Sequence, residues 1–137
     1  MTPTQRTLAR MRNDGYLAAV VEKWIPAKGG GFRLDLFGVA DVEGKAIPGR
    51  QRPGTLYVQS CGDSWSAHVK KLQTKAEVVA VMIYNGDRIE LWSWVLRKPR
   101  GERARCVRRR GIVYIQEGRV HVAEIPDSGL EPLRIAE

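Results

Sequence analysis

Cysteine is scarce in this chain. The two present, Cys61 and Cys106, belong to no CxxC pair and no Cys/His cluster, which argues against a zinc site and leaves the thiols to be read as reduced. The first residues, Met1-Thr2-Pro3-Thr4-Gln5-Arg6, lack the apolar core of a signal peptide, and no apolar run approaches the length of a membrane span. Together these absences give the expectation of a cytoplasmic protein with no membrane partner. Gly29-Gly30-Gly31 lacks the Lys-Ser/Thr ending of a phosphate-binding P-loop. There is no internal repeat and no sign of a second domain. Acidic residues are also short, 15 against 23 Lys and Arg, so the net charge is +8 and the pI about 9.9. That excess suits a polyanionic partner, of which nucleic acid is the commonest.

What is present is one domain's worth of alternating signals: 137 residues, 43% of them hydrophobic. Thr4 to Gly15 reads as a short helix, capped by Thr2 or Thr4 and stopped by Gly15. Tyr16 to Ile25 reads as a first strand ending at Pro26, and Arg33 to Val42 as a long second strand, bent at Gly38. Glu43 to Gly54 is a basic loop leading into a third strand, Thr55 to Cys61. Trp65 to Thr74 has helical spacing at Trp65, Val69 and Leu72; Lys75 to Tyr84 fits either more helix or a buried strand. Arg88 to Leu96 alternates cleanly, with Ile89, Leu91, Ser93 and Val95 on one face and Glu90, Trp92 and Trp94 on the other. Ile112 to Ile125 reads as a hairpin turning at Glu117-Gly118. The expected architecture is α/β (α+β): a central mixed sheet with flanking helices in one domain over residues 1–125, then a flexible tail over 126–137.

Polar groups inside apolar strands mark the candidate site. A carboxylate costs several kcal/mol to bury unless something pairs with it. Asp35 and Asp41 interrupt the second strand and Gln59 the third. On neighbouring strands Asp41 and Gln59 would aim oxygens at one spot, as a hard cation such as Mg2+ or Mn2+ needs. Asp35 lies six residues before Asp41, an even offset that puts both on one face of an unbulged strand.

The order helix, three strands, helix, strand, with Asp41 on the second strand and Gln59-Ser60-Cys61 on the third, resembles the PD-(D/E)XK nuclease superfamily. It is most similar to small Holliday-junction-resolvase-like members found in phages and prophages. The pattern Asp35-Leu36-Phe37-Gly38-x-x-Asp41 followed by Val58-Gln59 carries the likeness, which covers residues 4 to 96. The resemblance implies a restriction-endonuclease-like αβββαβ core, extended here by the C-terminal hairpin. It implies a Mg2+-dependent DNA endonuclease, selective for branched DNA and working as a homodimer. It implies metal ligands at Asp41 and Gln59, joined by Asp35, with Glu22 completing the site. Cys61 stands where the family has a lysine that orients water. The cation would then come from the next helix, as Lys71 or, second, Lys70, with His68 a weaker candidate for the base. Candidate DNA contacts are Arg33, Lys70 and, in the basic run from Arg97 to Arg110, Arg97, Lys98, Arg100, Arg108, Arg109 and Arg110, with Trp92 and Trp94 beside them as stacking platforms. The rival expectation is a catalytically inactive relative that binds nucleic acid through its basic surface.

Overall fold

The computed structural model describes residues 1–127. It opens with helix α1, Pro3–Asn13. Thr2 and Gln5 form a reciprocal capping box, and Pro3 takes the first turn, where no N–H is needed. Six strands form the main sheet: β1 (Leu17–Val20), β4 (Val42–Lys45), β5 (Thr55–Cys61), β6 (Arg88–Arg97), β7 (Arg105–Gln116) and β8 (Arg119–Ile125), in that spatial order. Neighbours are antiparallel except β5 and β6, which run parallel. Helices α2 (Trp65–Gln73) and α3 (Ala76–Tyr84) make the crossover that a parallel pair requires. Lys75 to Tyr84 is therefore mostly helix. Two short strands, β2 (Lys23–Ile25) and β3 (Phe32–Leu34), pair as a separate ribbon.

The sheet is covered on both faces. Met11 and Tyr16 pack with Val42, Leu56, Val58 and Trp92 on the α1 side. Leu72, Val79 and Met82 pack with Cys61, Ile89, Leu91 and Val113 on the other. Gly44 allows α1 to come close, since a Cβ there would sit 2.3 Å from Met11 Cε and 3.1 Å from the Tyr16 side chain. The class is thus mixed α+β, with a mostly antiparallel central sheet flanked by helices. Among the described residues no helix is long and apolar enough to cross a membrane.

Two strands differ from expectation. Tyr16 to Ile25 is not continuous: Val20 pairs with Val42, the first residue of β4, and beyond it β1 has no partner left in the sheet. The N–H groups of Val21 and Glu22 both donate to the Asp41 carbonyl, and the chain leaves as β2. Arg33 to Val42 is not one bent strand either. Phe37 and Gly38 are both left-handed, at φ 56° and 71°, and Val39 N–H donates to the Leu36 carbonyl across a tight turn of the I′ kind. The last hairpin turns at Glu117-Gly118 as expected, but β7 begins earlier, at Arg105. Of the expected tail, Asp127 is held by Arg108, and residues 128–137 lie outside the described residues.

Candidate metal centre

The Phe37-Gly38 turn folds Asp35 back towards Asp41. The even-offset argument therefore fails in its premise, because the two lie on no common strand, yet they meet. Carboxylate oxygens of Glu22, Asp35 and Asp41 all lie within 4.8 Å of one another. Glu22 comes from the segment between β1 and β2, which the break in the first strand swings over the site. Asp41 immediately precedes β4, and its N–H donates to the Val58 carbonyl of β5. Gln59 is thereby brought alongside: Gln59 Nε2 donates to Asp41 Oδ2 at 2.8 Å and to Asp35 Oδ2 at 3.1 Å, and Ser60 N–H donates to Asp41 Oδ2 at 2.7 Å. Lys71 reaches over from α2 to pair with Asp35 Oδ2. Arg33 pairs with Glu22 at 3.3 Å. These groups, with Thr2, Thr4, Ser60 and His68, line an open cleft of about 270 Å³.

The electrostatics are unbalanced. Burial pushes the Asp41 carboxyl up to about 8, and the neighbouring Asp35 adds to the rise, while Ser60 N–H opposes it. Burial would raise Asp35 too, but hydrogen bonds from Asp41, Lys71 and Gln59 outweigh it and hold that group below its ordinary value. The two carboxyls thus share one proton at neutral pH, a state a divalent cation can replace. Gln59 Oε1 is buried with no hydrogen-bond partner, and so is His68 Nδ1. Burial and the Lys71 charge lower the His68 pKa, favouring the neutral ring.

Mg2+ binds oxygen at about 2.0–2.1 Å, so opposite ligands of one ion stand about 4.2 Å apart. The carboxylate oxygens are near that span, and half a turn of the Gln59 amide presents its orphaned Oε1 to them. The donor set, all oxygen, fits such an ion. Cys61, by contrast, faces the core beneath α2, 4% exposed, and burial pushes its thiol up to about 11.

The basic run needs correcting. Arg108 and Arg110 are 5% and 6% exposed and cannot contact DNA as placed. Arg110 pairs with the buried Glu90; Arg108 binds Asp127 and lies 4.3 Å over the Trp92 ring. Strand alternation is the reason: 108 and 110 point inward and 109 outward. Arg109 is exposed, paired with Glu124 and stacked over Trp65. Arg97, Lys98 and Arg100 are exposed at the β6–β7 tip, and Arg103 and Arg105, which the run contains but which had no assigned role, join them. Lys70 is exposed on α2. Trp92 is buried and offers no open ring face, while Trp94 is partly buried against the α1-side core and donates its Nε1–H to Thr7 Oγ1. No family model matches the chain, no curated protein matches it in sequence, and no solved structure matches its fold.

Proposed function

We propose that the protein is a Mg2+-dependent DNA endonuclease of the cytoplasm, in keeping with the resemblance to PD-(D/E)XK nucleases. The observation that carries this reading is the three-carboxylate cluster bridged by the Gln59 amide, whose buried Oε1 has no partner and would reach the cluster by half a turn. Discounting the β2–β3 ribbon, the order α1, β1, β4, β5, α2–α3, β6 also follows the helix, three strands, helix, strand sequence of that resemblance. Asp41, Asp35 and Gln59, with Glu22 at the rim, would hold the ion. An ion held there would supply Lewis-acid polarisation of the phosphate and a lowered pKa for a bound water. Lys71 stands beside Asp35, positioned to screen charge developing on the phosphate, the task the family's lysine would have at Cys61. Hydrolysis adds one water across a phosphodiester, leaving a phosphomonoester and a hydroxyl. The exposed cations at the β6–β7 tip lie six residues along β6 from Leu91, the partner of Gln59. At about 3.3 Å per residue that is about 20 Å, a duplex width away. Symmetric cutting of two strands calls for two copies.

The test is plasmid nicking with Mg2+ and with EDTA. Nicking only with Mg2+, lost in Asp41→Asn, supports the reading. No nicking by the wild type, or full nicking by Asp41→Asn, overturns it. The second reading, an inactive nucleic-acid binder, is favoured by the replacement of the strand lysine by the buried Cys61. DNA retention on a mobility-shift gel without any cleavage is its signature.

A further inference from the structure

The β2–β3 ribbon carries a tryptophan that neither core uses. Trp24 is 59% exposed. It is paired directly across the ribbon with Arg33, so the two side chains share one face. Arg33 in turn binds Glu22 and lines the carboxylate cleft. The Trp24 ring rests on Gly31, where a Cβ would sit 2.8 Å from Cζ2, so the glycine is what lets the ring lie there. A plate already fixed in place loses little freedom when something stacks on it. Lys23 and Lys28, both exposed, add positive charge to the same ribbon and its loop. The other tryptophans are engaged: Trp65 under Arg109, Trp92 in the core, Trp94 on Thr7.

From this juxtaposition of an open indole, a guanidinium at the cleft and a cationic loop, we infer that Trp24 is a stacking site for an unpaired DNA base. The base is next to the phosphate that lies in the carboxylate cleft. This deepens the nuclease reading and rests on it for the position of that phosphate. An indole needs a free base face, which a continuous duplex does not offer and a fork, gap or junction does. Arg33 contacts the backbone, and the ribbon thereby selects DNA with a break in its base stacking.

The experiment is equilibrium binding of the full chain, in EDTA so that nothing is cut. The probes are a forked DNA with 2-aminopurine at the first unpaired position and a matched duplex. The wild type should bind the fork more tightly and change the 2-aminopurine emission. Trp24→Ala should lose about tenfold on the fork, as expected for one stacked base, and change little on the duplex. Trp24→Phe should keep most of the fork preference. An unchanged fork-to-duplex ratio in Trp24→Ala overturns the inference. So does a homodimer, seen by light scattering, that Trp24→Ala dissolves, since a second copy would then cover the ring. Because binding is read without metal, a protein that stacks on the fork but never nicks keeps this site while the hydrolytic reading fails.

Discussion

Two parts of the molecule bury charge, and they do it differently. Beneath α1, Glu90 and Arg110 face each other, with Trp92 Nε1 donating to Glu90 at 3.0 Å. Next to them Arg108 and Arg10 both reach Asp127. Each carboxylate there has a guanidinium to match. The cleft instead gathers three carboxylates against Arg33 and Lys71, and leaves the most buried of them, Asp41, with amide donors only. A network that is charge-matched holds a fold together; one that is short of positive charge has room for a cation. The same residue types thus serve cohesion in one place and leave unmatched negative charge in the other.

The contrast breaks most visibly at Glu90. Glu90→Gln takes the carboxylate from a buried pair, and a loss of about 3–5 kcal/mol is expected, read as a lower urea midpoint. Glu90→Leu combined with Arg110→Met should recover much of it, since a well-packed apolar pair can replace a buried ion pair.

Next comes pH. Asp41, at about 8 when folded against an ordinary 3.8, takes up a proton on folding. Its contribution to stability is fullest below about pH 4 and is lost as pH rises towards about 8. Asp35, held low, works in the opposite sense: its contribution is present above 3.8 and is lost as pH falls through its folded value. In EDTA, stability should therefore fall between about pH 5 and pH 8, on the order of a few kcal/mol. Urea melts at the two pH values measure it. Asp41→Asn should flatten the dependence, and added Mg2+ should raise the midpoint more at the higher pH. A flat wild-type profile would mean the cleft is as balanced as the Glu90 network.

Lys71→Ala should slow Mg2+-dependent nicking about 10²-fold, with Lys71→Arg keeping more of the rate. Equal rates for all three forms would place the lysine outside the chemistry. The smallest effect belongs to Arg109. Its pair with Glu124 is about half exposed on both sides, so Arg109→Ala should cost about 1 kcal/mol or less by thermal melting.

Local signals were readable where local chemistry decides. Thr2, one of the two caps open to α1, starts it one residue earlier than read, Glu117-Gly118 marks the hairpin, and the alternation of β6 is seen as read. The meeting of Asp41 with Gln59 was readable too, because strands joined by one loop tend to pair. The Phe37-Gly38 turn was not, since phenylalanine rarely takes a left-handed φ and gives no turn signal. Without that turn the chain reads as one strand, and the ribbon bearing Trp24 disappears. The partners of Arg108 and Arg110 were equally hidden: Asp127 and Glu90 lie 19 and 20 residues away in sequence. A run of arginines looks like a surface until those distant carboxylates are placed.

The parallel pairing of β5 with β6 has a consequence for the order in which the molecule comes into being. Every residue lining the carboxylate cleft, from Thr2 to Lys71, is synthesised before the strand that covers the open side of β5. A nascent chain at that point has its cleft residues in hand and an apolar strand edge bare, the kind of edge that recruits other chains. The last residues of α2 and the whole of α3 separate that moment from the arrival of β6. The interval in which this protein is most exposed to aggregation is thus fixed by the length of its crossover.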